Sequence, residues 1–142
     1  IDGKDASMEI RTNEISNNVS LVSSYHFVRE QLVLLQQKMA IAQNVVMDGR
    51  DIGYHVLPNA THKFFLTASI EERAIRRYYD NKKRGIKSNI EKLKEEIARR
   101  DYLDTTREHS PLRPADDAII IDTSHLSIDQ VIATITDKIR EV

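Results

Sequence analysis

The 142-residue sequence has no cysteine and no tryptophan, and only 4 glycines and 3 prolines. Without cysteine it can form neither disulfides nor thiolate metal sites, and a reducing cytoplasm suits it. Its longest apolar run is a handful of residues, far below the roughly 20 needed to cross a bilayer. The opening stretch "IDGKDASMEIR" has no basic start followed by an apolar block, so it does not read as a signal peptide. No G-x-x-x-x-G-K-[ST] occurs, so these residues lack the glycine-rich backbone cradle that usually holds a nucleoside triphosphate. The chain opens on Ile1 without an initiator methionine, and the expectation is that further residues precede it.

What is present fits one soluble globular domain: 40% of residues are hydrophobic and 30% charged. The net charge of -1 is low for a protein that binds nucleic acid over a whole face. Arginine outnumbers lysine 12 to 9, a lean towards phosphate and carboxylate partners, which match its planar fork.

The sparse glycines and prolines make the punctuation easy to read. Residues 13–42 have helical periodicity at Val28, Leu32, Leu35 and Met39, with a break expected near Tyr25 after a serine-rich, β-branched stretch. Three short apolar runs, "NVVMD" (44–48), "KFFLTA" (63–68) and "AIIID" (118–122), read as strands. Runs of this kind separated by helices point to a parallel sheet. A helix over 69–85 is expected to begin at Ser69 with Glu72 completing a capping box, and to stop at Gly85. A second, over 88–110, is expected to begin at Ser88 with Glu91 in the matching position and to end before Pro111. A third, over 127–142, carries Val131, Ile132, Ile135 and Ile139 on one face. The order is helix, strand, strand, two helices, strand, helix, which predicts an α/β sandwich with a parallel sheet.

Three clusters could carry chemistry. "VVMDGRDIG" (45–53) runs apolar residues into Asp48, Gly49, Arg50 and Asp51, at what would be the carboxyl end of a strand, where open parallel sheets bind ligands. Gly49 permits a sharp turn, Arg50 can grip a phosphate bidentately and Asp51 can accept from an amine or hydroxyl. Alone, the tetrad reads equally well as a turn with a local ion pair. Arg100, Asp104 and Arg107 are spaced to share a helical face, either as an anion site with a hydroxyl acceptor in its middle or as a solvated ion-pair ladder. Arg73, Arg76 and Arg77 share another face, with Arg84 further on, and read as a mobile basic segment closing over phosphates or as a plain charged surface. The five histidines have no ligand spacing, so no metal site is assigned, and Asp122-Thr123-Ser124 reads as a cap for the helix after it or as the border of a nucleotide site.

Together these blocks resemble a bacterial cytidylate (CMP/dCMP) kinase. The resemblance runs in one register through "EIRTNEISNNVS", "VREQL", "VMDGRDIG", "VLPNATHKFFLTASIEERAIRR", "RRDYLDTTREHSPLRPADDAIIIDTS" and "LSIDQVI". It implies a three-layer α/β/α P-loop nucleoside monophosphate kinase fold, incomplete at its N-terminus by about 80 residues, on the size of one P-loop unit plus an insert. Residues 1–22 would be the remainder of the monophosphate-binding insert and 23–142 part of the kinase core, with a lid at about 73–86.

The resemblance also implies roles. Ser20, Arg29 and Asp51 fall where the pyrimidine base is read, which suits cytosine's amine donor beside ring acceptors. Arg100 and Asp104 fall on the sugar hydroxyls, Arg50 and Arg107 on the acceptor phosphate, and Arg76 and Arg77 in the lid. The implied reaction moves the ATP γ-phosphoryl group to CMP or dCMP, giving CDP or dCDP, with Mg²⁺ whose ligands lie outside this chain. These 142 residues alone are expected to be inactive and either to self-associate or to be marginally stable, and the whole enzyme to be a cytoplasmic monomer. Tyr54-His55 stands where the resemblance leads one to expect Thr-Val. The alternatives are another small P-loop kinase of nucleotides or metabolites, or a non-catalytic arginine-lined nucleotide- or RNA-binding module. Scarce aromatics (6%) and aspartates interleaved among the arginines speak against nucleic acid.

Overall fold

The computed structural model describes residues 3–41 and 43–141, and for Arg11, Asn13, Ser16, Asn17 and Ser20 the backbone alone. The expected helix ends at 42 and 142 therefore lie outside the described residues. After a short 3₁₀ turn, Glu9–Arg11, helix α1 (Asn13–Val22) starts where the Thr12 hydroxyl accepts from Ile15 N at 3.3 Å. The chain breaks at Ser23–Tyr25 and α2 (His26–Ala40) follows, so the interruption near Tyr25 is where the serine-rich stretch pointed.

Strand β1 (Phe64–Thr67) and strand β2 (Ile119–Asp122) pair in parallel, Phe64 opposite Ile119 and Thr67 opposite Asp122. Between them run α3 (Ile70–Lys83) and α4 (Ile90–Thr106), and α5 (Ile128–Arg140) comes last. The architecture is α/β with a parallel sheet, as the alternation of runs and helices implied. No described helix is long and apolar enough to cross a membrane.

Residues 44–48, expected as the first strand, take another form. They are not a strand: among the described residues the sheet has two strands, and Val46 is fully exposed. A strand needs ladder partners for its N–H and C=O groups, and no described segment pairs with this run.

The helix starts differ in detail. At α3 the Ser69 hydroxyl accepts from Glu72 N at 3.1 Å, but the Glu72 carboxylate turns to Arg76, 2.9 Å away, so the expected box is half made. Gly85 follows the end of α3 with φ +72°, the left-handed conformation that suits glycine there. The cap of α4 is Asn89, whose side chain accepts from Lys92 N at 3.0 Å, and not Ser88. Both residue types cap well, so the start can move by one position. α4 also stops at Thr106, and Arg107 is extended (φ -62°, ψ 144°), so Arg107 does not continue the face of Arg100 and Asp104. At α5, Ser127 and Gln130 form a reciprocal capping box.

α3 and α4 pack against each other, with Ala74 and Leu93 buried. Arg73 clamps the pair by two parallel bonds to Asp101, at 2.9 and 2.6 Å. Those bonds hold the Arg73 guanidinium above its ordinary pKa, against the opposing effect of burial.

Candidate active site

The segment after residue 48 is shaped by close approach. A Cβ on Gly49 would stand 2.8 Å from Ile52 Cγ1, too near for any side chain without a shift of Ile52. Beyond Asp51 the backbone forms one π-helical turn, Ile52–Val56, with both His55 N and Val56 N donating to the Asp51 carbonyl. Such turns recur at functional sites because they re-aim side chains. Val56 is wholly buried, and its carbonyl accepts from Gln37 Nε2 of α2 at 3.1 Å, which anchors the turn to that helix. Nothing in residue order marked this turn.

The turn delivers Asp51 to Arg29 of α2. Their side chains are 5% and 11% exposed and form a close ion pair. Beside them Asp104, 3% exposed at the end of α4, faces three guanidinium groups. Arg50 Nε lies 2.8 Å from its Oδ2, Arg100 Nε 3.7 Å from the same oxygen, and Arg107 Nη1 4.0 Å from Oδ1. Arg107 reaches back because the chain reverses after α4. Its Nε donates to the Ser110 carbonyl at 2.6 Å, and its side chain is only 7% exposed.

Four guanidinium charges against two carboxylates leave this cluster with a net charge of +2. The crowding is felt by its members. Burial, then the charge of Arg50, pushes Arg100 below its ordinary pKa, and burial, then the charge of Arg29, does the same to Arg107. Arg29 Nε, Arg100 Nε and Arg107 Nη2 are buried without a hydrogen-bond partner among the described residues. Leaving a buried donor unpaired costs about 1–3 kcal/mol, more when it is charged. Surplus positive charge and unpaired guanidinium donors together make a seat for an anion.

Arg29, Arg50, Asp51, Arg100, Asp104 and Arg107 thus come together from four parts of the chain. The Ser20 side chain lies outside the described residues. Arg77 is near enough for its charge to disfavour that of Arg100, whereas Arg76 turns elsewhere. The Arg76 guanidinium donates to the Thr123 carbonyl at 2.5 Å and the Thr123 hydroxyl at 3.3 Å, tying α3 to the end of β2. Asp122 and Ser124 do not cap α5. Ser124 Oγ bonds Asp122 at 2.6 Å and accepts from Ser69 N at 2.9 Å, before α3.

The family model described as cytidylate kinase matches residues 1–141. The chain is 54% identical to the cytidylate kinase of Streptococcus suis over 139 residues, which cover 98% of this chain and 62% of that protein. It is 56% identical to the cytidylate kinase of Streptococcus sanguinis, over 97% of this chain and 61% of that protein. For the cytidylate kinase of Bacillus cereus the identity is 54%, over 100% and 63%. The chain belongs to the cytidylate kinase family. It spans about 62% of the length of the curated cytidylate kinases it matches. Next to the cluster described above, this family member has a cleft of about 380 Å³ lined by Arg29, Tyr54, His55, His109 and Arg113, among others.

Proposed function

We propose that this chain supplies the acceptor side of a cytidylate kinase, an enzyme moving the γ-phosphoryl group of ATP to CMP or dCMP and releasing CDP or dCDP. One observation carries the reading: four arginines gathered on two buried carboxylates, with two positive charges in excess and three buried donors unpartnered among the described residues. A phosphate monoester carries nearly two negative charges at neutral pH, the complement of that excess.

Arg50 and Arg107 take the acceptor phosphate, for which the guanidinium fork is suited. Arg29 and Asp51 read the base. Arg29 holds Asp51 Oδ2. The other carboxylate oxygen accepts from the exocyclic amine of cytosine while Arg29 Nε donates to a neighbouring ring acceptor. Ser20 joins them. Arg100 and Asp104 take the sugar hydroxyls. Arg76 and Arg77 belong to a lid at about 73–86, and Arg76 would exchange its Thr123 bonds for a triphosphate contact on closing.

Phosphoryl transfer asks little covalent chemistry of a protein, so arginines fixed around the migrating charge are the appropriate apparatus. They neutralise the attacking phosphate and orient it without reorganising during the step. ATP and Mg²⁺ belong to the reading as the donor. No group of three His, Asp or Glu among the described residues could hold a metal ion. The reading places the ligands of Mg²⁺ outside this chain, and the residues here act on the acceptor. The same reading takes 1–22 as the remainder of a monophosphate-binding insert and 23–142 as part of a three-layer α/β/α P-loop core. It puts the whole enzyme in the cytoplasm as a monomer.

Equilibrium titration of the chain with CMP, dCMP, UMP and AMP tests the reading. CMP and dCMP are expected to bind most tightly, and Asp51→Asn to weaken CMP about tenfold or more. Equal binding of all four, or a preference for AMP, would overturn it in favour of another nucleotide kinase.

A further inference from the structure

Arg107 is held by a loop that is itself under strain. The loop leaves α4 at Arg107, reverses at Ser110 with φ +51°, and runs on through Pro111 to Arg113. A non-glycine residue in that left-handed region persists only where its surroundings over-determine it. One tie is local to α4: Leu112 N donates to the Asp104 carbonyl at 2.7 Å. Two others converge on one side chain. The Tyr54 hydroxyl donates to the Pro111 carbonyl, and the Arg113 guanidinium sits 4.1 Å over the centre of the Tyr54 ring. Tyr54 lies in the π-helical turn that presents Asp51, so the turn and the loop are fastened through this one residue.

We infer that Tyr54 is a positioning residue for Arg107: its hydroxyl and ring fix the Ser110 turn, whose carbonyl receives Arg107 Nε and so aims the guanidinium at the acceptor phosphate. Lacking Tyr54, the loop would lose both of its ties to the π-helical turn, keeping the Leu112 bond, the Arg107 contacts with Ser110 and Asp104, and the packing of His109 on His26 of α2 at 4.8 Å between ring centres, and the left-handed Ser110 would be freer to relax. The Arg107 guanidinium would then sample several directions, and part of its binding energy would be spent on ordering it. The phosphate contact rests on the function proposed above, whereas the link between Tyr54 and the Arg107 Nε–H does not.

The test uses Tyr54→Phe, which keeps the ring under Arg113 and removes only the hydroxyl, with Tyr54→Leu removing both. Exchange of the Arg107 Nε–H with water is followed by nitrogen-15 NMR, its signal assigned with Arg107→Lys, and CMP affinity is measured in parallel. In Tyr54→Phe the exchange is expected to accelerate and the CMP Kd to rise, each about threefold to tenfold, with a larger effect in Tyr54→Leu. In an Arg107→Lys background Tyr54→Phe should change CMP affinity no further, because the group it positions is gone. Unchanged Nε–H exchange in Tyr54→Phe, or an equal loss of affinity with and without Arg107, would overturn the proposal. If Tyr54→Leu does not fold, Tyr54→Phe still decides it. If the parent chain binds no CMP, the acceptor reading fails, and the Nε–H exchange still decides the role of Tyr54.

Discussion

Arg50 Nε lies 2.8 Å from Asp104 Oδ2, although 54 residues of chain separate them. The bond joins the segment after the solvent-exposed 44–48 run to the end of α4, and Arg100 and Arg107 face the same carboxylate. Asp104 is therefore a buried counter-charge to three guanidinium groups, and the only other carboxylate in the cluster is already paired with Arg29.

Neutralising Asp104 without changing its shape should expose that dependence. Asp104→Asn is expected to lower stability by about 2 kcal/mol, below the roughly 3–5 kcal/mol for breaking a fully buried pair, since Arg50 and Arg100 keep partial access to water. Urea unfolding provides the measurement. Added phosphate should restore more stability to the variant than to the parent, because the uncompensated arginines then bind the anion more strongly. An unchanged midpoint would mean that solvent already neutralises the cluster.

The start of α4 offers a single-residue test of the fold. Asn89→Ala removes the side-chain oxygen that accepts from Lys92 N, and should destabilise the protein by about 1 kcal/mol. Ser88→Ala should be close to neutral, because the Ser88 hydroxyl is buried without a hydrogen-bond partner among the described residues. Equal losses at both positions, read from denaturant midpoints, would show that the helix starts at either residue.

That one-residue displacement illustrates how far residue order reaches. Ser69, Gly85 and Pro111 punctuate the chain through sterics and local hydrogen bonds, so they could be read directly. Two good caps in succession cannot be ranked that way, because the choice depends on packing between α3 and α4. The run 44–48 has the composition of a buried strand, yet pairing is a property of two segments, and no described segment pairs with it. At the site, the residue types at 50, 51, 100, 104 and 107 were legible. The resemblance implied that they share one acceptor pocket, but spacing alone could not show the geometry of their meeting, because Arg107 leaves the helix and returns only through a left-handed Ser110. Nor could the Tyr54–Pro111–Arg113 fastening be read, since its members lie far apart in the chain and none belongs to a motif.

Tyr54 should also leave a signature in alkali. Burial, reinforced by the nearby Asp51 carboxylate, raises its pKa above the ordinary value of about 10, against the opposing pull of Arg113, Arg107 and Arg29. Between the ordinary and the raised value the folded state holds a proton that the unfolded chain has released. Stability from this residue is thus complete below about pH 10 and is lost as pH rises through that window. Denaturant unfolding between about pH 9 and 11.5 should show a falling stability whose slope is shallower in Tyr54→Phe. Identical slopes would mean that Tyr54 ionises as an unfolded tyrosine does.

Val46 is fully exposed, Phe27 of α2 is 70% exposed and Ile120 of β2 is 62% exposed. Among the described residues each strand of the two-stranded sheet has one unpaired edge, and an unpaired edge is a template for a further strand. Apolar side chains in water beside unpaired backbone groups are the two ingredients of association, because burying the first and pairing the second both lower the free energy. The 142-residue chain is expected to self-associate, with a sedimentation coefficient that rises with protein concentration. Val46→Lys together with Ile120→Lys should return it towards the monomer by placing charge on both patches. A parent chain that sediments as a single monomeric species at every concentration, and melts cooperatively, would show that these apolar groups tolerate water without seeking a partner.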